Sequence, residues 1–80
     1  MDMKSRLLSL NPRLPHADLD RAIEGGVRYA DQFDKLPQHD RDNVTFFFAA
    51  YALSESTHYK ALIRRGIDSV LAPWYPGARQ

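Results

Sequence analysis

Apolar residues recur along this chain at spacings of three and four, and prolines at 12, 15, 37, 73 and 76 cut the pattern into segments. Each segment has the period of an amphipathic helix, and none alternates at period two for long enough to make a strand. The first helix is expected from about Asp2 to Leu10, capped by Asp2, with Met3, Leu7 and Leu10 on one face and Asn11-Pro12 as its stop. The second is expected from about Pro15 to Lys35. Pro15 suits a first turn, where its missing N–H is not needed. Asp18 and Asp20 follow where the helix dipole favours negative charge. The stripe of this helix is Leu19, Ala22, Ile23, Gly26, Ala30 and Phe33, and Glu24–Arg28 and Asp31–Lys35 have ion-pair spacing on the wet face.

The third helix is expected from about His39 to Glu55, with Asp40 or Asp42 as its cap. Val44 to Leu53 is the most apolar part of the chain. Its Val, Thr and Phe would also suit a buried strand. The interleaved Ala49, Ala50 and Ala52, and the lack of a strand partner, favour a helix. Consecutive helical residues stand about 100° apart, so Phe46, Phe47 and Phe48 sweep about 200° and cannot all face one flat core. Either this helix is central and surrounded, or one phenylalanine faces another molecule. The fourth helix is expected from Thr57 to Ala72, capped by Ser56 or Thr57, with Tyr59, Leu62, Ile63, Gly66, Ile67, Val70 and Leu71 as its stripe. The apolar register would also suit one long helix from Asp42 to Ala72, but the polar Ser54-Glu55-Ser56-Thr57 favours a break.

These segments predict one all-α domain over residues 1–80. It is a bundle of three main helices plus a short N-terminal one, with 73–80 as an extended aromatic tail. The core is expected from Leu19, Ile23, Ala30, Phe33, Val44, Phe47, Phe48, Tyr51, Leu62, Ile63, Ile67, Val70 and Leu71, with Gly26 and Gly66 as points of close approach.

Composition narrows the function. At 44% hydrophobic and 26% charged the chain is no disordered tail, and a net charge of +1 makes it no polycation. The absence of cysteine excludes disulfides, thiolate zinc sites and a cysteine nucleophile. The N-terminal leucines are interrupted by Ser9 and then by Asn11-Pro12, so they do not read as an export signal. No stretch approaches the ~20 apolar residues of a membrane span. A cytoplasmic protein is the expectation.

Candidate chemistry is sparse. Glu55-Ser56-Thr57-His58 is a Glu-x-x-His step, which on one helix would put both side chains on one face. Di-iron bundles need two such steps and further glutamates, whereas Glu24 is the one other glutamate here. His39 to Asn43 is rich in oxygen ligands but lacks the glycine and distal glutamate of a calcium loop. No serine sits in a nucleophile elbow, and the glycines form no phosphate loop. The expectation is no enzyme, no metal and no cofactor.

Binding features are clearer. Residues 57–80 carry Lys60, Arg64, Arg65 and Arg79 against Asp68, a local balance of +3, while 37–56 carries −2. Lys60 and Arg64 lie together opposite the apolar stripe. The plain reading of that basic face is a solvated helix surface partly neutralised by Asp68. The aromatic excess of Phe46–Phe48 and Tyr51, and Trp74-Tyr75 past the last helix, suit an interface, where Trp, Tyr and Arg dominate. Trp74, close to a helix end, is expected to fold back on the core, and Tyr75 to face outward. Three stretches, Leu19-Asp20-Arg21-Ala22-Ile23-Glu24, Phe48-Ala49-Ala50 and Val70 to Trp74, resemble in order parts of the Hha/YmoA group of small bacterial nucleoid modulators. That group is helical and works by binding a DNA-coating protein. The spacing between the stretches is longer here, so the resemblance implies a binding role and carries no residue over. The function expected is a small non-catalytic modulator or inhibitor, of the kind common on phage and plasmid genomes, that binds a larger protein complex through Lys60, Arg64, Arg65, Tyr75 and Phe46. The alternative is a nucleic-acid-binding regulator using the same basic face as a dimer. Three or four phosphate contacts would make that binding weak and salt-sensitive. A homodimer would also cover the surplus aromatic surface.

Overall fold

The computed structural model describes residues 2–76. They form four helices, α1 (Met3–Leu10), α2 (His16–Ala30), α3 (Gln38–Leu53) and α4 (Thr57–Leu71), and no strand occurs among the described residues. The all-α class and the short first helix follow the apolar pattern.

Local chemistry sets the ends. Asp2 caps α1, its carboxylate accepting the Ser5 backbone N–H at 2.8 Å and the Ser5 hydroxyl at 3.2 Å. Ser56 caps α4 by accepting the Tyr59 N–H at 3.1 Å. The break between α3 and α4 falls at 54–56, where the Ser54 hydroxyl accepts the Ser56 N–H at 3.2 Å, so the single long helix does not form. Helices α2 and α3 begin directly after Pro15 and Pro37, which occupy the cap positions without a side-chain bond. The expected caps of α3 therefore lie inside it. Asp40 accepts the Trp74 indole N–H at 3.3 Å, and Asp42 accepts the Gln38 amide at 2.8 Å.

Two boundaries differ from the pattern. Helix α2 stops at Ala30, not Lys35, and successive turns carry the chain to Pro37. Pro37 disfavours a helical Leu36, and the turns bury Leu36 instead. The expected Asp31–Lys35 pair loses its helical spacing with them. The tail does not run extended from Pro73. The backbone N–H groups of Trp74 and Tyr75 both donate to the Leu71 carbonyl, at 3.0 and 2.7 Å, and fold the chain back. Residues 77–80 of the expected tail lie outside the described residues.

Helix α3 is the hub, packing against α1, α2 and α4. The three phenylalanines are thereby shared among its neighbours. Phe48 stacks on Tyr29 of α2 with ring centroids 5.0 Å apart, and Phe46 lies under the Arg6 guanidinium of α1 at 4.1 Å. Phe47 fills the space beside Gly66 of α4. The fully buried core is aliphatic: Leu7, Leu19, Ala22, Ala30, Leu36, Val44, Ala49, Ala50, Ile63, Ile67 and Leu71. Of the other residues expected there, Ile23, Phe33, Phe47, Phe48, Tyr51 and Val70 are half-buried. Leu62 is 47% exposed, because α4 rests on α3 and that edge of its stripe overhangs the contact. Helices α2 and α3 approach closely at Gly26, where a Cβ would stand 2.5 Å from the Thr45 carbonyl oxygen. At Gly66 a Cβ would meet the Phe47 ring at 3.6 Å, an ordinary contact rather than a crossing point.

Candidate functional site

With α2 and α4 on different sides of α3, a groove of about 460 Å³ opens over α3 between the end of α2 and the second half of α4. Its aromatic lining is Tyr29, Phe33, Phe48 and Tyr51, and Ile67 and Leu71 complete the apolar surface. The aromatics form a continuous series. Phe48 stacks on Tyr29, Tyr29 meets Phe33 edge-on at 5.3 Å, and Phe33 meets Tyr75 edge-on at 5.3 Å. Each such pair contributes about 0.5–1.5 kcal/mol beyond the area it buries, so the lining is held in place before anything binds.

The rim is charged along α4. Lys60, Arg64 and Asp68 follow one another at one-turn spacing. Lys60 Nζ lies 5.3 Å from the Tyr51 ring centroid, while Arg64 and Asp68 line the groove directly. The ion pairs among the described residues are Lys4–Asp20, which ties α1 to α2 at 2.8 Å, and Arg21–Asp18. Neither uses the cations of the rim.

The structure thus brings together part of the surface expected from sequence. Lys60 and Arg64 share the rim, and Tyr75 joins the aromatic series at its far end. Arg65 is exposed, about 100° round α4 from Arg64. Phe46 is two residues from Phe48, hence on the opposite side of α3, and Arg6 covers it. Tyr75 does not face freely outward. Its hydroxyl accepts the Lys35 N–H at 2.9 Å and donates to Asp34 at 3.3 Å, pinning the segment after α4 to the α2–α3 turn. Trp74 is the more exposed of the two, at 39%. The order expected for this pair is reversed because the turn after Leu71 directs Tyr75 inward. Tyr29 and Gln32 are not singled out by the sequence, which marks Asp68 only as partly neutralising the basic face. The i,i+4 spacing of Tyr29 and Phe33 is the signal that marks the aromatic wall.

Other grooves carry charged side chains without an aromatic floor, as where Asp31, Arg41 and Asp42 line one between α2 and α3 and Arg13, Asp18, Arg21 and Glu55 line another. A second groove of about 420 Å³ between α1 and the α3–α4 turn is lined by Leu7, Leu10, Leu14, Leu53 and Tyr59, with Glu55 its one charged group. Glu55 and His58 do not share a helix face, since Glu55 lies in the turn before α4. No group of three side chains able to hold a metal occurs among the described residues. No described helix is long and apolar enough to cross a membrane. Comparison with family models, with curated proteins and with solved structures gives no match to this chain.

Proposed function

We propose that this chain is a small non-catalytic regulatory protein of the cytoplasm, a modulator or inhibitor that docks on a larger protein through the aromatic groove between α2 and α4. The observation that carries this reading is the aromatic floor beside two cations that have no ion-pair partner among the described residues. Aromatic and arginine side chains at a desolvated patch supply most of the energy of protein interfaces. A preordered lining also lowers the entropy lost on docking.

The test is affinity capture from cells of its source with the tagged chain and with Arg64→Glu. The expected result is a captured protein that Arg64→Glu loses and Arg65→Glu keeps, with circular dichroism unchanged in both variants. Capture that is indifferent to Arg64→Glu would remove the groove from the reading. A gel shift with duplex and single-stranded oligonucleotides at ~50 mM salt is the companion measurement. Retardation abolished by Arg64→Glu would replace protein docking by nucleic-acid binding.

A further inference from the structure

We infer that the groove takes an acidic amphipathic helix of the partner. The apolar side of that helix rests on Phe48 and Tyr51, and two carboxylates four residues apart face Lys60 and Arg64. This rests on the reading that the groove is where a protein docks, and it adds the chemistry of what docks there.

Three observations select that occupant. The first is shape. From Arg64 to Leu71 the wall of the groove advances seven residues, about 10 Å at the helical rise, or two turns of a docked helix. A helix laid over α3 there gains walls from both α2 and α4, which leave α3 open between them. The second is backbone chemistry. No strand edge occurs among the described residues, so an extended peptide would find no ladder to join. The third is charge. Lys60 and Arg64 stand one turn apart on the same rim, without ion-pair partners among the described residues. Carboxylates at i and i+4 of a docked helix repeat that spacing. Asp68 continues the row with the opposite sign, so the complementary helix is acidic at the Lys60 end only. A cation or amide suits the Asp68 end.

The test uses fluorescence anisotropy with fluorescein-labelled synthetic peptides of about 16 residues, long enough to hold a helix. One has a leucine stripe with glutamates four residues apart beside it at one end and glutamines at the other. A second has lysine at every glutamate. A third has the acidic composition scrambled so that the stripe is lost. The full chain is expected to bind the acidic amphipathic peptide, and the double variant Lys60→Glu/Arg64→Glu to weaken it by about tenfold or more. Arg65→Glu, on the outer face, should change it by less than about twofold. The inference is overturned if the lysine or scrambled peptide binds equally well, if the double variant leaves affinity unchanged, or if the acidic peptide does not bind. Absent peptide binding alongside Arg64-dependent protein capture would defeat the acidic helix and leave the docking reading standing. Loss of Arg64-dependent capture would defeat docking itself. A solution mass of two chains that falls to one in the double variant would also overturn it, by making a second copy the occupant.

Discussion

A single missing methyl group at residue 26 governs how closely α2 and α3 approach. A Cβ there would stand 2.5 Å from a backbone oxygen of Thr45, and neither backbone can yield without moving its helix. Gly26→Ala gains about 1 kcal/mol of helix propensity. It incurs about 1–3 kcal/mol of overpacking, and the backbone clash puts it at the upper end of that range. At Gly66 the same methyl would sit 3.6 Å from the Phe47 ring, within ordinary contact, so the propensity gain stands nearly alone. Gly26→Ala is therefore expected to lower the melting midpoint and Gly66→Ala to raise it. About 1 kcal/mol corresponds to roughly 4–8 °C in a chain of this size. Thermal unfolding of the two variants side by side checks both signs, and a rise for Gly26→Ala would contradict the observed crossing. From sequence both glycines lie on apolar stripes and look alike. They differ because one meets a backbone and the other the face of a ring, and that depends on how the helices pack.

Among the elements, α1 depends most on its cap, having eight residues and one fully buried side chain, Leu7. The Ser5 N–H bonded to Asp2 holds that carboxyl below its usual range, with desolvation opposing it and the Ser5 hydroxyl acting in the same direction. A carboxylate with a depressed folded-state value stabilises above its unfolded value and loses that contribution as pH falls through the folded one. Helix α1 should accordingly fray first on acidification, beginning below pH ~4. Amide-exchange protection at Ser5 to Leu8, taken relative to the intrinsic rate at each pH from 5 downward, is expected to fall there before protection in α3 does. Simultaneous loss of protection in both helices would mean that the cap does not control α1. Asp2 and Ser56 were legible as caps because a side-chain acceptor stands directly before an apolar stripe. The end of α2 was not, because the period continues through Phe33. Only the turn required before Pro37, together with the burial of Leu36, removes residues 31–35 from the helix.

At the scale of the whole molecule, the segment that follows α4 bears on both stability and the proposed site. Tyr75 closes the aromatic series through Phe33, and its hydroxyl bridges Lys35 and Asp34, so it links the end of α4 to the α2–α3 turn. Its sequence position beyond the last helix, between Pro73 and Pro76, suggested an outward anchor. The inward placement arises from the turn at Leu71, which local propensity does not specify. Lys60 and Arg64 were legible because helical spacing alone sets them on one side. Their aromatic counterpart was not, since Tyr29 and Phe48 belong to different helices and meet only where α2 crosses α3. A structural role and a docking role for Tyr75 make different predictions. Tyr75→Phe keeps the ring and removes the two hydroxyl contacts, each worth about 0.5–1.5 kcal/mol net. If the hydroxyl serves the fold, the melting midpoint drops by several degrees while capture of the partner, measured well below that midpoint, stays as in the parent chain. An unchanged midpoint with lost capture would instead put Tyr75 in contact with the partner, and the docking surface would then extend from the groove onto the α2–α3 turn.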